Sequence, residues 1–190
     1  SAISFGFFAG IAPSVALALT EAASKALVDK IVGEINRVIA SGKSESAMIG
    51  DFERIFARYA DVPIIARSAL GADSRRASQA QLRAFSGAFQ GYVARKYGKR
   101  FREFIGGEIQ VQGVRKTKHY HEVGATDFLR GESPFEVLFL VYERGGKNLF
   151  FDMVIEGVSM RIVERTEIGS MLDANNGDID RLINAVQSAG

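Results

Sequence analysis

The sequence predicts an α+β fold: a curved antiparallel sheet of about four strands with helices layered on it. Three observations predict it. Apolar residues recur at helical spacing as far as Val93, at a spacing of two from Ile109 into the hairpin that ends near Glu156, and at helical spacing again beyond Gly157. The chain of 190 residues suits one compact core, and its 47% hydrophobic content is ordinary for such a core.

The elements follow in order. Thr20 is placed to cap a helix whose stripe is Leu27, Ile31, Ile35 and Val38, flanked by Val28, Val32 and Ile39, and Ser41-Gly42 ends it. A second helix, from Glu45 to Tyr59, carries Met48, Phe52, Ile55, Phe56 and Tyr59 on one face. Pro63 marks a short helix with Ile64, Ile65 and Leu70, closed by Gly71. Ser78 and Gln81 have the spacing of a capping box, in which each side chain satisfies a free backbone N–H, so a long helix begins there. Leu82, Phe85, Phe89, Tyr92 and Val93 give it an apolar face, and it dissolves near Gly98 into a basic, aromatic stretch ending at Gly106-Gly107.

Ile109 and Val111 then alternate with Gln110 and Gln112, and a further strand is expected between Tyr120 and Arg130. Phe135, Val137, Phe139 and Val141 occupy one face of a third strand. Leu138, Leu140 and Tyr142 make its other face apolar as well, which predicts a strand covered on both sides. Gly145-Gly146 supplies a hairpin turn into Leu149 to Glu156. A final helical section is expected after Gly157, burying Val158, Ile162, Val163, Met171 and Leu172; Asn176-Gly177 stops it, and Asp178 caps a last helix through Val186.

Composition narrows the function. A formal charge of +2 does not call for a polyanionic partner, and the absence of Cys removes disulfides, thiolate catalysis and cysteine-ligated zinc together. With 14 Phe and 5 Tyr but no Trp, much of the apolar volume sits in rings that lack a polar atom, which suits a large core or an apolar pocket. Ile3 to Leu19 is an uncharged apolar stretch, and Ala16-Leu17-Ala18 has the small-x-small form of a cleavage site. It reads as the apolar region of a secretory signal, with a buried N-terminal helix or strand as the alternative. The chain accordingly divides into a signal-like segment over 1–19 and a single domain over 20–190.

Signals for catalysis are weak. His119 and His121 lie two apart, which on a strand aims both the same way, but with only Glu122 nearby they do not make a metal site. The run Asp173, Asn175, Asn176, Gly177, Asp178, Asp180 lacks the spacing of a calcium loop and is better explained by helix caps. Gly145-Gly146-Lys147 lacks the remaining residues of a phosphate-cradling loop, and no Gly-x-Ser-x-Gly elbow occurs. Neither catalytic residues nor a cofactor nor a metal are expected. Basic residues gather at Arg95, Lys96, Lys99, Arg100 and Arg102, among Tyr97, Phe101 and Phe104, and again at Arg115, Lys116 and Lys118. A solvated helix end and strand rim account for them, the alternatives being an anion or nucleic-acid module or an anionic membrane surface.

Two stretches carry a family resemblance. Asp61-Val62-Pro63-Ile64-Ile65-Ala66-Arg67-Ser68-Ala69-Leu70-Gly71, continuing to Arg75, Ala77, Ser78 and Gln81, resembles the toluene-tolerance or MlaC family of periplasmic phospholipid-binding proteins, auxiliary components of an ABC transporter. Asp152-Met153-Val154-Ile155-Glu156-Gly157-Val158-Ser159-Met160, with Arg165 beyond it, does so more specifically. Order and spacing agree from about Val28 to Val186. Departures fall at Ser74 and Asn148, where the family usually has Trp, at Gln79 for Pro, and at Glu164 and Ile168 for aromatics.

The resemblance implies a fold NTF2-like in character and an exported periplasmic shuttle. It implies transfer of phospholipid between an outer-membrane lipoprotein complex and an inner-membrane ABC transporter complex, in the maintenance of outer-membrane lipid asymmetry, with phospholipid as cargo. No nucleic-acid partner is expected, and the chain is expected to be a monomer unless residues 1–18 associate. The alternative classes are an anion- or nucleic-acid-binding module and a small-molecule enzyme on a related α+β fold. The expected lining of a lipid cavity is Ile64, Ile65, Leu70, Phe85, Phe89, Tyr92, Phe104, Ile109, Val111, Phe128, Phe135, Val137, Phe139, Val141, Met153, Ile155, Val158 and Ile162, each with an ordinary core position as its alternative. Arg67, Asp152 and Glu156 either contact a headgroup or hold the motifs in shape, and the second reading is favoured.

Overall fold

The computed structural model describes residues 19–129, 131 and 133–190, so the apolar stretch over residues 1–18 lies outside the described residues. Among the described residues no helix is long and apolar enough to cross a membrane.

Helix α1 spans Glu21–Ile39, and the Thr20 side chain accepts from the Ala23 N–H at its start. Helix α2 spans Glu45–Tyr59 and α3 spans Val62–Leu70, with Asp61 as the cap of α3. Gly71 ends α3 with φ +59° and ψ −130°, a region that β-carbons disfavour, and a methyl group there would also come within 3.1 Å of Arg165 Nε. Gly71→Ala is therefore expected to lower stability by roughly 1–3 kcal/mol, visible as a fall in Tm. A melt indistinguishable from the parent would show that the turn relaxes at no cost.

Helix α4, Gln79–Gly98, starts with the expected capping box between Ser78 and Gln81. After it come β1 (Glu108–Lys116), β2 (His121–Phe128), β3 (Phe135–Arg144) and β4 (Lys147–Ile155). These four, with a short fifth strand β5 (Val158–Ser159), form one antiparallel sheet in chain order. The β3–β4 turn is Gly145-Gly146, both at positive φ (60° and 78°), the backbone that a two-residue hairpin of matching twist demands. Irregularities between Val111 and Val114 on β1 and at Leu140/Val141 on β3 increase the local twist.

Two expectations are corrected here. The sheet has one strand more than about four, because the chain reverses at Glu156 and Gly157 (φ 49° and 78°) and pairs Val158 with Ile155. Helix α5, Met160–Ala174, therefore begins later than expected, with Ser159 as its cap. The second correction concerns β3. Val137, Phe139 and Val141 are buried, whereas Leu138, Leu140 and Tyr142 are partly exposed, so the strand is fully covered on one face only. On the other face Tyr142 and Tyr120 pack against Phe151, with the Arg161 guanidinium over that ring. Helix α6, Ile179–Ser188, is capped by Asp178 as expected.

Register defines the covered face of the sheet, because directly opposed residues point the same way. His121, Val123, Ala125 and Asp127 of β2 oppose Val141, Phe139, Val137 and Phe135 of β3, and all four of these β2 side chains are buried. Ile109 opposes Asp127 on one side of this face, while Met153 and Ile155 oppose Phe139 and Val137 on the other. Helix α1 is pinned to it at two points. Asn36 donates to the Ile109 carbonyl (3.0 Å) and accepts from the Ile109 N–H (3.1 Å), satisfying both backbone groups of this residue on the edge strand β1. Ser24 Oγ and His121 Nδ1 lie 2.7 Å apart in a buried hydrogen bond.

Candidate functional site

Between α1, the end of α4 and this sheet face lies a cavity of about 580 Å³, within the range of small-molecule sites. The sheet contributes Ile109, Asp127, Phe135, Val137, Phe139, Met153 and Ile155; the helical side contributes Ile35, Tyr97 and Phe104. Arg100, Glu103 and Glu156 bring charge to it, with Leu129 and Ser133 completing the wall. Phe104 stands edge-on to Phe135 with ring centres 5.9 Å apart. A smaller apolar cavity of about 70 Å³ lies beside it among Ile31, Phe52, Ile55, Phe56 and Phe150, and Ile35, Tyr97, Phe139 and Met153 line both.

The polar groups are few and differ in kind. The Tyr97 hydroxyl donates to Glu164 Oε1 (2.7 Å), which also receives Lys96 Nζ (2.8 Å). Burial and the Glu164 charge push the Tyr97 hydroxyl far above its ordinary range, so it stays a neutral donor that holds the residue on the cavity wall. Arg100 faces Glu103 at 3.7 Å. Glu156 accepts from the Glu136 N–H at 2.6 Å. Asp127 is 3% exposed, one of its oxygens has no partner among the described residues, and burial raises its carboxyl to about 6. The arrangement can enclose a long apolar ligand and meet a few polar atoms. Neither histidine lines it, since His119 is exposed and His121 is committed to Ser24, so the two do not converge. Among the described residues no cluster of three acidic or imidazole side chains could hold a metal ion.

Residues 25–188 match the family model described as MlaC protein. The chain belongs to the MlaC family. No curated protein matches. Among solved structures, the phospholipid-binding protein from Ralstonia solanacearum in complex with a phospholipid has a TM-score of 0.73 at 15% identity, covering 86% of this chain and 94% of that one. The two chains share a fold.

The residues that carry the MlaC resemblance hold helix ends. The Asp61 carboxylate caps α3 through the Ile64 N–H (3.3 Å), accepts from Tyr142 Oη, and pairs with Arg144 (2.7 Å). Its backbone N–H donates to the Phe150 carbonyl, hooking the α2–α3 corner onto β4. Asp152, 5% exposed, accepts from Ser159 Oγ (2.6 Å) and from the Arg161 N–H (3.1 Å), fixing the entry into α5. Arg67 is exposed. Of the three polar residues considered for a headgroup, only Glu156 reaches the cavity.

Of the expected lining, Phe104, Ile109, Phe135, Val137, Phe139, Met153 and Ile155 meet at the larger cavity. The rest lie elsewhere in the fold. Phe85, Phe89 and Tyr92 are buried in the helical layer, because α4 turns that face toward its neighbours α2, α3 and α6. Ile65 and Leu70 are buried on α3, Ile64 is partly buried, and Val141 and Val111 lie on the inner sheet face away from the cavity wall. Phe128 is 39% exposed because it alternates with inward Asp127. Val158 (54%) and Ile162 (67%) are exposed, since the turn at Gly157 carries them to the edge.

Ile35, Tyr97 and Asp127 are wall residues that sequence reasoning missed as such. Asp127 had a signal, being the acidic member of the buried alternation His121, Val123, Ala125, Asp127. The basic cluster, by contrast, is largely occupied. Arg95 donates to the Ala189 and Val186 carbonyls, Lys99 to the Gly190 carbonyl, Lys96 pairs with Glu164 and Glu167, and Arg115 pairs with Glu122.

Proposed function

We propose that this chain is a phospholipid carrier that shelters acyl chains in the 580 Å³ cavity between α1, the end of α4 and the inner sheet face. The cavity's apolar wall is the observation that carries the reading, supported by membership of the MlaC family and by a structural neighbour that binds a phospholipid. Burying a methylene is worth roughly 0.8 kcal/mol, so a lipid with about thirty of them escapes into water slowly and needs such an enclosure. Phe104, Ile109, Phe135, Val137, Phe139, Met153 and Ile155 are the proposed contacts, joined by Ile35 and Tyr97. Binding and transport, rather than catalysis, is the proposed activity. We extend it to an exported periplasmic protein of one domain over residues 20–190, behind a signal-like segment over 1–19. On this reading it shuttles lipid between an outer-membrane lipoprotein complex and an inner-membrane ABC transporter complex, and so maintains outer-membrane lipid asymmetry.

The purified protein is expected to carry phospholipid from its expression host, detected by organic extraction and mass spectrometry. A clean extract together with failure to take up lipid from vesicles would overturn the carrier reading.

A further inference from the structure

Two buried side chains among the described residues keep an oxygen without a hydrogen-bond partner, Glu164 and Asp127. Glu164 is held through its other oxygen by Lys96 and Tyr97. Asp127 has no such anchor: no hydrogen bond or ion pair among the described residues reaches it, and it stands on the wall of the large cavity. Its cross-strand neighbours on that face are Ile109 and Phe135, both apolar. Helix α1 presents Ile35, while the amide of the adjacent Asn36 is spent on Ile109. Among the described residues, the other titratable groups on the wall are Tyr97, bonded to Glu164; Arg100, facing Glu103; Glu103 itself; and Glu156, bonded to the Glu136 N–H. None of them neutralises or hydrogen-bonds Asp127.

A polar group left unpaired at a buried sheet position costs free energy that Val or Leu would avoid. A partner from outside the chain accounts for it. We propose, resting on the carrier reading, that the neutral Asp127 carboxyl is the polar anchor of the cavity, donating its O–H to an ester carbonyl oxygen of a bound diacyl lipid, so that loading is coupled to proton uptake. An ester carbonyl fits because it sits where acyl chains meet the polar part of the lipid, and it accepts without carrying charge into the apolar wall.

The sign follows from solvation. In the empty cavity burial already raises the Asp127 carboxyl to about 6. Replacing cavity water by methylenes disfavours the carboxylate further, and the ester rewards the neutral form. Lipid affinity is then full below the empty-state value and falls as pH rises above it, by at most about tenfold per pH unit. The same shift acts on folding. A carboxyl raised above its unfolded value contributes stability that is fully present below about pH 4 and is lost as pH climbs through about 6.

The test is equilibrium transfer of a fluorescent diacyl lipid from mixed phosphatidylethanolamine and phosphatidylglycerol vesicles, at about pH 5 and about pH 8, for the parent, Asp127→Asn and Asp127→Leu. The parent is expected to bind roughly tenfold or more tightly at the lower pH. Asp127→Asn, a permanently neutral donor, should bind with the same affinity at both values and hold its Tm where the parent's declines. Asp127→Leu should also be flat in pH but about fivefold weaker than Asn, the loss of one net hydrogen bond. A parent profile flat in pH overturns the coupling. Equal affinity of the Leu and Asn variants overturns the ester bond. Tighter parent binding at high pH overturns the neutral anchor in favour of a carboxylate facing a cationic headgroup. Absence of transfer by the parent at either pH is a different result, the failure of the carrier reading itself.

Discussion

Phe139→Asp is expected to strip the protein of bound lipid. Phe139 lies on β3, opposite Val123 and Met153, and lines both the large and the small cavity. Its ring stands edge-on to Phe150, with centres 5.6 Å apart and an interplanar angle of 84°. A carboxylate at this point would sit among apolar side chains and against the acyl chains, while the wall's described cation, Arg100, already faces Glu103, which strongly disfavours occupancy. Phe139→Ala separates cavity from core. Truncating a Phe enclosed on all sides costs ~3–5 kcal/mol, but part of this ring already borders open space, so about 2–3 kcal/mol is expected. The Ala variant should also join the two cavities and keep its lipid. Circular dichroism with bound-lipid analysis reads both variants. An Asp variant that folds and retains full lipid would remove β3 from the binding wall.

Asp61→Ala is expected to have the largest effect on stability. Asp61 is 4% exposed and ties three elements together, through the α3 cap, Tyr142 and Arg144 on β3, and its own N–H on β4. Loss of the cap costs ~1 kcal/mol, and the stranded Tyr142 hydroxyl adds about 1–3 kcal/mol. The Arg144 pair adds less, because that guanidinium is half exposed. A total of roughly 2–4 kcal/mol should appear in urea unfolding with an unchanged slope. Asp61→Asn keeps the cap oxygen and should recover part of it. A loss below about 0.5 kcal/mol for Ala would mean that water replaces the carboxylate freely at this corner.

The resemblance pointed to Asp61 and Asp152 without saying what they touch, and the structure assigns both to helix ends rather than to the cavity. Glu164, where the family usually has an aromatic residue, is fully buried and bonded to Lys96 and Tyr97. A polar brace thus occupies the place of a ring, and it orients Tyr97 toward the cavity.

Helix and strand positions were legible because they depend on short-range chemistry. Thr20, the Ser78 and Gln81 pair and Asp178 each satisfy backbone N–H groups within three residues, and Gly145-Gly146 permits a turn that other residues resist. The two-residue strand β5 was illegible since a single reversal at Glu156-Gly157 leaves no period to read.

Periodicity by itself determined that the stripe of α4 is buried and that extended strands follow Ile109, but it read both faces of β3 as covered, where the structure covers one. Only the tertiary structure decided what each buried face meets. Phe85 and Phe89 meet other helices and become core, whereas Phe139, Met153 and Ile155 meet the gap left between α1, the end of α4 and the sheet. The physical reason is that burial is a property of one element's pattern, while a cavity is a shortfall of volume between elements distant in sequence. Asp127 shows the difference most sharply: the alternation of β2 turns it inward, and only the placement of distant elements decides that its carboxyl borders a cavity rather than a partner side chain.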